Sequence, residues 1–562
     1  MTASLTTISE KPWAGSAARI GWAILILATL YVCYFSHLGA IGFVGPDEPR
    51  YAWIARDMAE TDDWVTPRLY GKPWFEKPPL LYWGAALSFR LFGVSEAAAR
   101  LPSAISALLA TLALAWLAWR LYGAETARWL LLLLPTTVGM IGFSHAAATD
   151  MPFSGMLTIA MVCAAVVLRL THNENTPIIP RTPWLALILF GFFLGLAVLA
   201  KGPAAIILCG GAVFFWAMFT KRWRDAFRLF HPAAIAAFCL TALPWYILCA
   251  RRNPDFFRIF IIEHNFKRYL TPEFQHIQPF WFYAPVLLAA LLPWSIFSLW
   301  DVVSGGIQLW RERNLGDFEG LLLSWSAFTI LFFTVSKSKL PGYILPSLPT
   351  IALLSARAIV RRFNGQGSTR WLFSAGGLTL VLLGTTAYRL NDSIPFVTDI
   401  RPSPTVLQFA ILAVFGGVLA AALACFQRTR ASAFVVVVTM LCFLTLDTGD
   451  LWELDDGVSA RPMVHVALEH ITTEEAAGAT VFKLRRAYKY QIDFYLHRET
   501  QEWSPDIEKH SLIFTDYKNS SEVVRLGAWC PHYIAFPAVW VCESSKGGPN
   551  SMYHPARGGQ PQ

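Results

Sequence analysis

The chain has 562 residues, 55% of them apolar and only 15% charged, and a formal net charge of +8. Soluble domains carry about 25% charged residues, so this chain cannot clothe a water-facing surface and lipid must cover it instead. Short cytoplasmic loops of membrane proteins hold Lys and Arg, which accounts for the positive balance, and no soluble domain shows the basic face that nucleic acid requires.

The N-terminus, Met1 to Ala18, is polar. The first apolar block begins near Arg19, and no small-residue cleavage site follows it, which reads as an uncleaved signal anchor. Fourteen apolar blocks can be counted along the chain. The second, Pro79 to Val94, is short, starts at Pro78-Pro79 and carries Arg90 in its interior. A charge at mid-bilayer costs roughly 2.5–3.5 kcal/mol, so this block is expected to lie along the interface. The other thirteen are expected to span, near 19–36, 98–119, 129–147, 151–170, 183–200, 203–219, 231–250, 279–299, 319–336, 341–360, 371–388, 405–425 and 432–447.

That count puts Arg120 to Arg128, Lys221-Arg222-Trp223-Arg224, Arg311-Glu312-Arg313, Arg361-Arg362 and Arg428-Thr429-Arg430 on one side, as cytoplasmic loops should be. The N-terminus is expected on the same side. Facing outward are the loop 37–97, the turn at Asp150, the loop 251–278 and everything from 448 onward. If Pro79 to Val94 crossed the bilayer, Asp150 would fall on the side opposite the first loop.

From residue 448 the composition changes. Ala479 to Leu484 and Ser511 to Thr515 read as buried strands, Ala487 to His497 and Ser520 to Leu526 as helices, and Tyr533 to Val541 as one or two further strands. A small α/β domain over 448–562 therefore follows a transmembrane domain over 1–447. Its tail from about Ser544, rich in Gly, Pro and Ser, reads as disordered. Cys33, Cys163, Cys209, Cys239, Cys249, Cys425 and Cys442 lie in apolar blocks and are expected to pack there. Cys530 and Cys542 lie in the polar C-terminal region and can form a disulfide if it is exported.

The first loop is too rich for a connector. It holds Asp47-Glu48-Pro49-Arg50-Tyr51 and Glu76-Lys77-Pro78-Pro79-Leu80-Leu81-Tyr82-Trp83. Outward Lys and Arg run against the positive-inside bias and call for an anionic partner, which a phosphate at headgroup level would supply. Asp47 and Glu48 could also serve the N-terminus of the helix after Pro49, and Asp150 that of the fourth span. In Glu263-His264-Asn265-Phe266-Lys267-Arg268, His264 and Arg268 share a helical face. Arg268 could grip a phosphate there, while His264 could ligate a metal or orient a carboxylate. Lys201, Lys337, Lys339 and Tyr343 complete a basic and aromatic set at the outer surface; the lysines could also be snorkelling anchors.

At these motifs, and at Lys339-Leu340-Pro341-Gly342-Tyr343, the sequence resembles the GT-C class of membrane glycosyltransferases. Within that class it is most similar to the 4-amino-4-deoxy-L-arabinose lipid A transferases, relatives of the protein O-mannosyltransferases. The resemblance covers essentially the whole chain. It implies a polytopic α-helical GT-C fold with a small C-terminal α/β domain, in the bacterial inner membrane with that domain periplasmic. The implied donor is aminoarabinose on undecaprenyl phosphate, the acceptor a lipid A phosphate, and the enzyme a monomer among membrane lipid, without nucleic acid. Asp47 and Asp150 would be catalytic. Lys77, Arg268 and Tyr343 would hold the donor phosphate, and Glu48, Arg50, Tyr51, Tyr82, Lys201 and Lys339 would contact substrate. Glu76 and His264 match a Zn2+-binding pair of the family, although zinc usually takes three or four protein ligands, so no metal is expected to be essential. The same chemistry on a protein hydroxyl or another envelope glycan is the alternative. A flippase would need inverted repeats and broken midplane helices, and no internal repeat is found.

Overall fold

A computed structural model describes residues 16–170, 183–267, 270, 277–312, 317–364, 370–391, 404–445, 455, 458–470, 478–505, 512–530 and 540–544. Helix α1 (Ser16–Tyr34) leads into the first loop, which folds as α2 (Asp47–Thr61), the two-residue strands β1 (Arg68–Leu69) and β2 (Lys72–Pro73), and α3 (Leu80–Phe92). There follow α4 (Glu96–Tyr122), α5 (Ala124–Leu133), α6 (Val138–Ser144), α7 (Asp150–Val167), α8 (Trp184–Lys201), α9 (Ala204–Thr220) and α10 (Pro232–Arg252). A π-helical turn, Arg258–Lys267, precedes α11 (Tyr283–Ala290) and α12 (Ser295–Glu312). The remaining apolar helices are α13 (Asp317–Val335), α14 (Leu348–Phe363), α15 (Arg370–Asn391), α16 (Pro404–Cys425) and α17 (Thr429–Leu444).

The chain is thus a polytopic helical membrane protein. Among the described residues, seven helices are long and apolar enough to cross a membrane, and the pair α5 and α6, bent by 63°, supplies an eighth span if it counts as one. Thirteen spans were expected from hydropathy. Part of the difference is length: α9 has 17 residues and α17 has 16, about 25 Å of helix at 1.5 Å per residue against a core of about 30 Å. The expected span 279–299 is divided between α11 and α12, with Leu291 to Trp294 between them.

Helix α7 is buried on nearly every side and forms the axis of the bundle. Small residues let its neighbours close in: a Cβ on Gly155 would sit 2.8 Å from the Ser106 carbonyl of α4. Close backbone approach of this kind drives helix association where lipid is as apolar as the side chains. Buried Thr158 and Ser154 sit on the same helix.

The basic connections read from the sequence are joined at one end of the bundle. Arg430 pairs with Glu125 at 2.9 Å and donates to the Asn364 side chain at 3.3 Å. Arg222 pairs with Asp317, Arg357 with Glu319, and the Tyr122 hydroxyl donates to Glu319 at 3.0 Å. Helix α3 belongs to the other end. It has 13 residues, and its Arg90 turns back to donate to the Ala59 carbonyl at 2.8 Å and to pair with Asp62 at the end of α2. The charge that would be costly at mid-bilayer is therefore answered by the first loop.

The C-terminal region comprises α18 (Arg461–His470), β3 (Thr480–Phe482), α19 (Arg486–Leu496), β4 (Gln501–Glu502), β5 (Leu512–Thr515), α20 (Tyr517–Arg525), β6 (Ala528–Trp529) and β7 (Trp540–Ser544). Its five strands run in the order β4-β3-β5-β7-β6, with β3 parallel to β4 and β5, and β7 antiparallel to β5 and β6. The expected strands at 479–484 and 511–515 and the two expected helices are found within a few residues, whereas α18, β4 and β6 were not anticipated. Cys530 and Cys542 are joined as a disulfide. Most of the strand expected over 533–541, and the tail after 544, lie outside the described residues.

This region rests on the first loop through α19. Phe494 packs edge-on to Phe43 with centroids 4.8 Å apart, and the Tyr70 hydroxyl donates to Asp493 at 2.5 Å. Burial raises the Asp493 carboxyl above its ordinary value, against the hydrogen bonds from Thr500 and Tyr70 that hold it down.

Candidate active site

Two cavities flank the N-terminus of α7, one on each side of the Lys201–Asp150 pair. The larger, about 1020 Å³, is lined by Asp47, Asp150, Pro341 and Gly342 among others. The smaller, about 370 Å³, is lined by Glu76, Lys77, Lys201, His264 and Tyr343, with an apolar wall that includes Ile207 and Phe332. Asp47 and Asp150 therefore face the larger chamber, with Arg100 in its wall, and Lys77 and Lys201 face the smaller one together with the Glu76 carboxylate. Asp47 and Asp150 share a chamber, which requires α3 to leave them on one face.

Each acid is tied to a cation behind or beyond the partition. Lys201, the last residue of α8, bonds Asp150 Oδ1 at 2.5 Å and lies 4.6 Å from the centre of the Tyr343 ring. Asp150 opens α7, where the partial positive charge of the helix N-terminus favours a carboxylate. Asp47 opens α2 in the same way, with its side chain half exposed. Arg50 pairs with Asp47 and, at 3.0 Å, with Glu76, whose other oxygen is 3.3 Å from Lys77. A chain of alternating charge thus runs from Asp47 in the acidic chamber to Lys77 in the basic one.

Arg50 is enclosed by the rings of Tyr51, Trp74 and Tyr490, at 5.4, 5.4 and 5.6 Å. Burial pulls its guanidinium down, but Glu76, Tyr51 and Asp47 outweigh this and hold it above its ordinary value. Tyr51 packs edge-on against Tyr82, 5.8 Å away. These three residues, expected to touch substrate, line neither chamber and are buried behind Asp47 and Glu76. Lys339 is buried as well, donating to the Ser336 and Gln278 carbonyls at 2.8 and 3.2 Å.

Glu48 reaches the larger chamber's wall but has its carboxylate turned inward. It accepts from Arg100 Nε at 3.0 Å, from a second Arg100 nitrogen at 2.8 Å, and from the N–H groups of Val44 and Ala147 at 2.8 and 2.6 Å. Of the two adjacent acids, Asp47 is presented and Glu48 is consumed by the fold. Sequence reading missed Arg100; the signal was a charge near the start of an apolar block, the same signal that singled out Arg90.

Glu76 and His264 line the same chamber. Among the described residues no group of three His, Cys, Asp or Glu could hold a metal, and Arg50 and Lys77 already claim the Glu76 carboxylate. Two ligands, one so engaged, do not fit a zinc site of the usual three or four. Arg268 lies outside the described residues.

Gly342 packs on the Asp150 carboxylate and the Phe143 ring so closely that any Cβ would overlap both. Gly342→Ala should push Asp150 from Lys201 and lower turnover about tenfold or more, since misplacing a reacting group by about 1 Å can cost 10²-fold. Turnover within twofold of the parent would show that the contact is not needed.

The protein-family model for dolichyl-phosphate-mannose-protein mannosyltransferase matches residues 20–260. The undecaprenyl phosphate-alpha-4-amino-4-deoxy-L-arabinose arabinosyl transferase of Edwardsiella ictaluri is 33% identical over 376 residues, 65% of each chain. That of Pseudomonas aeruginosa is 32% identical over 375 residues, 66% of each chain. The chain thus matches just under two thirds of the length of these curated relatives. In fold it is similar to the crystal structure of ArnT from Cupriavidus metallidurans bound to undecaprenyl phosphate, with a TM-score of 0.75 at 21% identity, covering 94% of this chain and 99% of that one. The family model reaches less than half of this chain, and at 21% identity the solved structure shows a shared fold.

Proposed function

From these likenesses and the geometry of the site, we propose that the chain transfers 4-amino-4-deoxy-L-arabinose from undecaprenyl phosphate to a lipid A phosphate, at the periplasmic face of the bacterial inner membrane. The observation that carries this reading is the partition itself, with Lys77 and Lys201 on one side and Asp47 and Asp150 on the other.

The basic chamber suits the donor phosphate. Preorganised cations act on charge that develops in the transition state, and here the leaving phosphate gains charge as its bond to the sugar's anomeric carbon breaks. Lys77 and Lys201 would stabilise it beside Tyr343, with Arg268 as a further candidate, while Ile207 and Phe332 offer an apolar path for the polyprenyl chain. The acidic chamber suits the sugar. Positive charge grows at the anomeric carbon as the leaving group departs, and the sugar carries an amino group; both are favoured by Asp47 and Asp150. The acceptor phosphate oxygen forms the new bond from the opposite face, which inverts the centre in one displacement. A phosphate monoester is already anionic near neutral pH, so Asp47 would orient and stabilise rather than take a proton.

The topology that fits this reading has thirteen spans, a cytoplasmic N-terminus at the basic end of the bundle and a periplasmic C-terminal region. The ion pairs among the basic connections support it, as does the position of Arg90.

The test uses the full chain in detergent with radiolabelled undecaprenyl-phosphate aminoarabinose and either lipid A or a Ser/Thr peptide. Label should pass to lipid A. Transfer to the peptide alone, the acceptor class of the matching mannosyltransferase family, would overturn the acceptor, and no transfer to either would overturn the activity.

A further inference from the structure

The loop between α1 and α2 has no regular structure, yet a side chain grips its backbone at every residue from 38 to 44. Arg100 donates to the carbonyls of Leu38, Ile41 and Gly42 at 2.8, 2.7 and 2.8 Å. Arg461 donates to those of Gly39 and Ala40 at 2.8 and 2.6 Å. Asp455 accepts the Gly42 N–H at 2.6 Å, the Tyr495 hydroxyl accepts that of Phe43 at 3.2 Å, and Glu48 accepts that of Val44 at 2.8 Å. Arg461 and Asp455 are buried and joined by a 2.8 Å hydrogen bond, and Arg461 lies 3.4 Å from Glu96 at the start of α4. A Cβ on Gly42 would overlap Ser459, so the two surfaces leave no room for a side chain there.

Buried backbone groups must find partners. In most loops water serves; here three of the five gripping residues come from the C-terminal region, more than four hundred positions away. Three residues after Val44 the chain reaches Asp47.

We propose that Arg461, Asp455 and Tyr495 are positioning residues for the transfer reaction, setting Asp47 through the loop that delivers it. The inference rests on the reading of Asp47 given above. None of the three lines either chamber, so they act through the loop and touch no reacting atom. A guanidinium that spans two carbonyls and a carboxylate has a fixed planar geometry that an ammonium cannot reproduce, which makes Arg461→Lys a geometric perturbation at constant charge.

The experiment is a double-variant cycle in the full chain, measuring sugar transfer to lipid A. Arg461→Lys should lower kcat tenfold or more while the donor KM stays within twofold, and amide exchange over residues 38–44 should quicken. In an Asp47→Glu background, where the carboxylate is already displaced, adding Arg461→Lys should change kcat by less than twofold. Losses that multiply in the double variant, or a single variant with parental kcat, would overturn the positioning role and leave the reading of Asp47 intact. Parental kcat in Asp47→Glu alone would overturn that reading, and the positioning role with it. Should Arg461→Lys fail to fold, Tyr495→Phe, which removes only the acceptor of the Phe43 N–H and the bond to Glu96, carries the same cycle.

Discussion

Asp47→Asn will reduce sugar transfer by about 10²–10³-fold, the scale of losing one preorganised charge-stabilising group, in a protein that folds normally. The side chain is half exposed at the chamber surface, so its replacement by an isosteric amide buries nothing new. Arg50 keeps its 3.0 Å pair with Glu76 when the Asp47 charge is gone, and the chain of contacts that leads to Lys77 persists. The loss should fall on kcat, because the group acts on positive charge that forms during the displacement and is weaker in the bound ground state. Turnover in detergent, read beside the thermal midpoint, checks this. Full transfer by the folded variant would remove Asp47 from the mechanism.

One residue on, the outcome reverses. Glu48→Ala should destabilise the fold by about 3–5 kcal/mol, the usual cost of removing one partner of a buried ion pair. Arg100 is almost entirely buried and would keep its charge without a counter-ion, and the Val44 and Ala147 N–H groups would lose their acceptor. A large fall in the thermal midpoint, with activity lost in parallel, is expected. A drop below about 1 kcal/mol would show that water enters to replace the carboxylate.

The membrane class and the positions of most helices were legible because apolar length is a local signal; the number of spans was not, since α9 and α17 fall short and the block 279–299 is broken. Asp47, Asp150, Lys77 and Lys201 were legible too, because charge placed outward near lipid is costly and therefore stands out. What separates Asp47 from Glu48 was not, since adjacent residues at a helix N-terminus look alike until Arg100 is seen to come from another helix. Arg50, Tyr51 and Tyr82 carried the chemistry expected of substrate contacts; the structure uses them as the wall behind the acids. Arg461 sits beside Pro462 in a polar stretch with no local mark, and its target loop is over four hundred residues earlier. Side chains that cross such distances leave no periodicity to read.

The division between the chambers has a consequence for traffic. A single groove would force the spent carrier to leave before a second lipid could dock, and each turnover would wait on that exchange. Under the proposed reading, with the donor phosphate beside Lys77 and Lys201 and the acceptor entering from beyond the Lys201–Asp150 pair, carrier and acceptor would be present together. The departure of one lipid would then not need to precede the arrival of the other.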